Sequence, residues 1–320
     1  MSLNEQKNKE FSLVCKITGV KKITNIIILK DGRLSSCTKD GELIIYKKRN
    51  YSIEDSIKEE KSSLYYHIQL SNTNIVTCGK KDYIHIYKLG NNNKYELFQK
   101  FEAYENRAYV YKVIEFDDFL ITSNDSLVKL WKKNENNEYI QFRVLRVQKS
   151  YSDPVNILRL NNNKLLCSAP TQKHIVFYQI KDNIKAVGFM ENLELNKRPN
   201  LICMVNDNIL FVAKRENGMY LIDIHKYEII ANIFRICKLY SVIRLRNGNI
   251  LIGCDGWEDR MERNSVIECK YESDNKNNYL LKVSETDKAH KKKVNCLIEM
   301  KNGTIITCSY DKTMKFWKRK

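Results

Sequence analysis

The side chains that could do chemistry here are five histidines, ten cysteines and 38 carboxylates, spread through 320 residues. Nucleophilic catalysis needs a Ser or Cys within reach of a base, and a structural zinc needs Cys or His at short, fixed spacing. Neither pattern occurs. No C-x-x-C pair is present, no histidine stands at ligand spacing, and there is no G-x-S-x-G elbow or phosphate-cradling glycine loop. An enzyme is therefore the least supported class, and no cofactor or metal is expected.

The other chemical signal is charge. The net value of +17 favours an anionic partner: RNA, acidic protein surfaces or anionic lipid. Lysine (41) outnumbers arginine (14) and asparagine is abundant (34), a bias that AT-rich coding would also produce. The N-terminus "MSLNEQKNKE" lacks an apolar h-region and no apolar run approaches the roughly 20 residues of a membrane span, so a cytoplasmic protein is expected, with nuclear or cytoskeletal association open.

Stepping from these residues to the elements that would carry them, one unit recurs. A polar turn leads into a strand that ends near a small residue, as in "KDGRLSSCTKDGELIIY", "SNTNIVTCGKKDYIHIY", "FDDFLITSNDSLVKLW" and "KNGTIITCSYDKTMKFW". The turns align on Gly32, Thr73, Asp117, Asn163, Asp207, Gly248 and Gly303, giving seven copies with a period mostly in the low forties. Alternation is strict in the third strand of a copy: Leu43/Ile45, Ile84/Ile86, Val128/Leu130, Ile175/Phe177 and Met314/Phe316 share one face. An aromatic residue follows in five copies, at Tyr46, Tyr87, Trp131, Tyr178 and Trp317. With "LYYHIQL"-type strands before each turn and "YELFQKF"-type strands after each copy, every unit reads as four antiparallel strands. In the sixth copy the register of "SVIECKYES" is not fixed by this pattern.

The chain resembles the WD-repeat propeller family across nearly its whole length. "SYDKTMKFW" and "SNDSLVKLW" fit the S-x-D-x-x-h-x-h-W pattern position for position. The resemblance implies an all-β fold, a single seven-bladed β-propeller of four-stranded antiparallel blades over 11–320, behind a disordered tail at 1–10. It further implies a network inside the last blade formed by Asp311, Thr307 or Ser309, His290 and Trp317, with Ser123, Asp125 and Trp131 as the matching positions of the third. Counting strands leaves "FSLVCKITG" ahead of the first unit while the last lacks its fourth. Residues 11–17 should therefore pair with 313–318 and close the ring.

In the family's topology one face gathers the loops that here hold Lys21, Lys22, Lys80, Lys81, Arg107, Lys197, Arg198, Lys214, Arg215, Lys291, Lys292 and Lys293. They read as a docking surface for an acidic partner or as a solvated lysine-rich surface. An insertion, "DGWEDRMERN", places Trp257 outside the motif beside Arg260 and Met261; it is either a binding hot spot or a pin for its own loop. The small residues Cys37, Cys78, Thr122, Ser168 and Cys308 read as one buried column. The expected function is a non-enzymatic scaffold or adaptor in a multiprotein complex, binding one or more proteins. The alternative, a basic RNA- or ribosome-associated propeller, lacks an aromatic platform interleaved with the basic residues. Oligomeric state is not legible.

Overall fold

The computed structural model describes residues 11–59, 62–105, 108–147, 155–160, 164–169, 174–180, 184–190, 199–214, 218–233, 238–254, 264–274 and 277–319. The tail at 1–10 lies outside them. The described elements are all β-strands, 28 of them, in seven four-stranded antiparallel sheets. They divide between two compact units, Ile23–Arg198 with four sheets and Met1–Lys22 plus Pro199–Lys320 with three.

The chain opens with β1 (Phe11–Thr18). The first blade then runs β2 (Ile23–Ile28), β3 (Leu34–Thr38), β4 (Glu42–Tyr46) and β5 (Ile53–Lys58). The second has β6 (Leu64–Gln69), β7 (Ile75–Gly79), β8 (Tyr83–Leu89) and β9 (Tyr95–Glu102). The third has β10 (Lys112–Phe116), β11 (Phe119–Ser123), β12 (Leu127–Lys133) and β13 (Tyr139–Arg146). The fourth has β14 (Asn156–Leu160), β15 (Lys164–Ala169), β16 (His174–Gln179) and β17 (Lys185–Met190). The fifth has β18 (Pro199–Met204), β19 (Ile209–Lys214), β20 (Met219–Asp223) and β21 (Glu228–Ile233). The sixth has β22 (Leu239–Arg244), β23 (Ile250–Cys254), β24 (Ser265–Ser273) and β25 (Asn278–Thr286). The seventh has β26 (Val294–Glu299), β27 (Ile305–Ser309) and β28 (Thr313–Arg319), and β1 is its fourth strand.

This last pairing is antiparallel from Phe11↔Arg319 to Thr18↔Thr313, as the strand count requires. It covers the edge that β28 would otherwise present to solvent. It also carries Phe11 into a buried cluster with Trp317, Leu251, Leu297 and Ile305.

The two side chains that alternate along each third strand are buried wherever the pattern placed them: Leu43 and Ile45, Ile84 and Ile86, Val128 and Leu130, Met314 and Phe316. The first three pairs lie in separate apolar clusters of their unit. The turn column has a common backbone reason. Gly32, Thr73, Asp117, Gly248 and Gly303 all adopt positive φ, between 50° and 90°. Glycine fits there without strain, whereas threonine at φ 73° is held against its own Cβ.

Neighbouring blades are stitched at those same turns within each unit. Gln69 Oε1 accepts from Lys30 N at 2.7 Å, and Glu115 accepts from Ser71 N and Oγ, both at 2.7 Å. Arg159 grips Asp117 at 2.7 Å, and Glu299 accepts from Arg246 N at 2.7 Å. Each stitch uses one of the last two residues of a first strand against the turn of the preceding blade.

One detail completes the sequence reading and a second departs from it. In the sixth blade Ile250 faces Cys269 and Ile252 faces Ile267, which puts Cys269 where other blades carry an aromatic ring. Thr122 does not share the cysteine column: it pairs with Lys129 as Thr307 pairs with Lys315, while Ser123 opposite Val128 occupies the column of Cys308 opposite Met314. A one-residue shift along a strand turns a side chain to the other face, and the third blade's shorter hairpin hid that shift.

Deletion of residues 1–17 is expected to convert the protein into an aggregating species, checked by light scattering and size exclusion; a truncated chain that stays monomeric with an unchanged melting temperature would contradict the pairing. Thr73→Gly is expected to stabilise the second blade by about 0.5–1 kcal/mol, because release of the left-handed strain exceeds the added chain entropy. Urea unfolding of the two proteins reads this directly.

Candidate interaction loops and the network beneath them

The loops that end the second strands and start the first strands stand on a hydrogen-bonded layer, which is most complete in the seventh blade. Trp317 Nε1 donates to Thr307 Oγ1 at 2.9 Å. An indole N–H can only donate, so the Thr307 hydroxyl keeps its hydrogen for His290 Nε2, 2.6 Å away. His290 therefore carries its proton on Nδ1 and gives it to Asp311 Oδ2 at 3.0 Å. Asp311 also accepts from Lys291 N at 2.9 Å and from Thr313 N and Oγ1. Ser309 lies beside this line: its hydroxyl donates to the Lys292 carbonyl and accepts from Asp311 N.

The chemistry of this layer is structural. Burial drives the His290 pKa down to about 4 despite the Asp311 charge, which leaves the imidazole neutral at physiological pH. Burial would raise the Asp311 pKa, but bonds from Thr313, Lys291 and His290 win and hold it below the usual carboxylate range.

Two other blades reach the same threonine position with different groups. In the third, Trp131 Nε1 donates to Thr122 at 3.0 Å and the hydroxyl of Tyr104 meets Thr122 at 3.0 Å. Asp125 lies on the loop and accepts from Tyr111, while Ser123 is buried with its hydroxyl unbonded. In the second, Glu59 takes the place of His290. Its buried carboxylate accepts from Thr77 at 2.5 Å, Tyr87 at 2.8 Å and His85 Nδ1 at 2.9 Å. Three donors are what a carboxylate out of water requires. Burial and the Glu59 charge together push the Tyr87 pKa up. His290, Tyr104 and Glu59 precede their threonines by 17, 18 and 18 residues, so spacing alone could have linked them.

Above this layer the structure combines lysines with tyrosines that the sequence did not bring together. In the unit of the first four blades, the Tyr65 and Tyr111 rings stack at 5.5 Å and 5°, and Tyr109 packs edge-on against both. Lys80 is exposed, with its ammonium 6.0 Å from the Tyr109 ring centre. Gly79 makes this approach feasible: a Cβ there would lie 2.2 Å from the Ser63 carbonyl, which instead receives Lys80 N at 2.8 Å. Lys81 is also exposed. In the other unit the Lys293 ammonium lies 4.5 Å from Tyr310 and 5.6 Å from Tyr240, beside exposed Lys291 and Lys292; Lys21 and Lys22 are exposed as well. Aromatic rings thus do interleave with the basic residues, contrary to the sequence reading.

Trp257, Arg260, Met261, Arg107, Lys197, Arg198 and Arg215 lie outside the described residues, and Lys214 is described only as backbone at the end of β19. On the blade margins, β9 exposes Leu97 and Phe98, and β13 exposes Ile140, Phe142 and Val144. Among the described residues no helix is long and apolar enough to cross a membrane.

The geometry agrees with the comparisons. Residues 281–318 match the WD40 family model, "WD domain, G-beta repeat". The WD40 β-propeller domain of Doa1 is similar in fold, with a TM-score of 0.72 and 16% identity over 97% of each chain. No curated protein matches the chain in sequence. The last blade is accordingly a WD repeat, and the chain has the seven-bladed β-propeller fold of WD-repeat proteins.

The buried histidines set a pH limit. Unfolded, each takes up a proton near pH 6.5, whereas the fold holds His290 neutral to about pH 4 and His67, deeply buried against Ser35, to about pH 3. Stability is thus complete above pH 6.5 and declines as pH falls toward 4. His290→Gln is expected to lower stability at neutral pH yet to flatten that decline. Denaturation midpoints measured from about pH 7 to about pH 4.5 test it, and parallel slopes would refute the assignment.

Proposed function

We propose that this propeller is a non-enzymatic scaffold that holds a partner protein with an acidic surface on its loops. The carrying observation is the pairing of half-buried tyrosines with lysines: Tyr65, Tyr109 and Tyr111 with Lys80, and Tyr240 and Tyr310 with Lys293. Tyrosine offers a large contact area with few rotors to freeze, and lysine beside it selects for carboxylates and speeds encounter. The rigid layer below fixes these loops before a partner arrives, so little ordering remains to oppose binding.

The tyrosine clusters also favour RNA more than the sequence did, since bases stack on such rings. The geometry prefers protein, because one face of Tyr65 and of Tyr111 is already taken by the other ring. A charge-reversed chain, Lys291→Glu/Lys292→Glu/Lys293→Glu, and a Tyr65→Ala/Tyr109→Ala chain are expected to lose a shared set of captured proteins from native extract while keeping the parental melting temperature. Identical captured sets from all three proteins would overturn the reading. Capture that survives reversal of charge but disappears on nuclease treatment would assign the loops to RNA instead.

A further inference from the structure

At the other end of the first blade's strands lies a cavity of about 500 Å³, within the size range of small-molecule sites. Its walls are the β2–β3 turn, the β4–β5 turn and, through Asn93, the β8–β9 turn. We infer that this cavity is a binding site for a small polyanion carrying two or more phosphate groups.

The floor is built, and its one cation and two carboxylates leave a single net negative charge against the three positive charges of the wall. Arg33 is buried and its guanidinium donates to Asp31 at 2.7 Å and to Glu54 at 2.8 Å, with Tyr95 beneath it at 5.9 Å. Both carboxylates are thereby committed to one cation. The wall is different. Lys47, Lys48 and Arg49 are exposed and consecutive, and none has an ion-pair partner among the described residues.

Their turn is nonetheless fixed. Lys47 N bonds the Ser52 carbonyl at 2.9 Å, Asn50 Oδ1 accepts from Ser52 N and Oγ, and Tyr51 adopts φ 54°. The Lys48 stem lies over the facing turn, 3.7 Å from where a Cβ on Gly32 would stand. Three cations are thus gathered on an ordered wall that has no acid of its own to satisfy.

General lysine richness does not account for this. The corresponding turns of other blades read "GNNNK", "NENNE", "IHKY" and "DNKN", against "KKRNYS" here. The chemistry of the wall also selects among anions. Two ammonium groups act as point charges that can meet oxygens on several sides of a phosphate, and Arg49 adds a planar fork. A phosphate supplies close to two charges and three acceptors in one group, which a carboxylate cannot. Each described lining residue is polar or charged and no apolar side chain is among them, so a compact, highly charged ligand fits better than a drug-like one.

Calorimetric titration of the full chain with inorganic tripolyphosphate tests this, at about 100 mM salt where charges beyond roughly 10 Å are screened. Saturable binding of one equivalent is expected. Lys48→Ala/Arg49→Ala should weaken it by about tenfold or more, while the charge-matched control Lys291→Ala/Lys292→Ala leaves it within about twofold. Citrate should bind at least about tenfold more weakly than tripolyphosphate. Absent saturation, or an equal loss in both double variants, overturns the site; equal affinity for citrate overturns the phosphate class. Hydrogen exchange of the 47–52 amides supplies a second readout, with slowing expected only when tripolyphosphate is present.

Discussion

The pairing of β1 with β28 is the interaction on which the seventh blade depends. A sheet of three strands would leave the N–H and C=O groups of β28 open to any passing strand. With β1 in place those groups are satisfied from Phe11 to Thr18, and Phe11 fills the apolar cluster around Trp317. Arg319, two residues beyond Trp317, adds a two-pronged grip on the buried carboxylate of Glu268 in the sixth blade. Backbone, core and charge thus converge on one short segment.

Inside the blades, a threonine beneath the loops recurs while its companions change. His290, Tyr104 and Glu59 differ in charge, size and hydrogen-bond capacity, yet each reaches a threonine hydroxyl; Thr307 and Thr122 also accept from the Trp of the third strand, whereas Tyr87 turns to Glu59 itself. What the position demands is a polar group that can satisfy a buried hydroxyl, and several side chains meet that demand. The sequence motif fades between blades for this reason, although the architecture does not. The neutral histidine and the triply hydrogen-bonded glutamate are two solutions to the same desolvation problem.

Much of the fold could be read from the residues because backbone geometry imposes them. Positive φ calls for glycine or a polar substitute, which made the turn column visible at Gly32, Gly248 and Gly303. The two-residue period made the faces of the third strands visible. Other features leave little trace. A register shift recurs beside the aromatic position, between Ile45 and Tyr46, Ile86 and Tyr87, Leu130 and Trp131, and Phe177 and Tyr178, yet no residue type marks it. Cys269 in place of an aromatic hid the sixth blade's register. The site was legible only in part: the motif pointed to His290 and Asp311, whereas Tyr65 and Tyr111 meet across a separation of more than forty residues that no local pattern encodes. Glu59 was missed because it is a carboxylate in a place where the motif led one to look for histidine.

The strand order carries a consequence for how the protein is made. Ser12 and Lys318 are hydrogen-bonded across 306 positions of chain. At a synthesis rate of roughly 5–20 residues per second, β1 emerges from the ribosome on the order of 15–60 seconds before its partner exists. Throughout that interval the earlier blades can assemble on the growing chain while β1, with its exposed Leu13 and Val14, waits as an unmated strand. The most vulnerable stage in the life of this molecule is thus its birth, when a chaperone or a neighbouring nascent chain can reach that strand first.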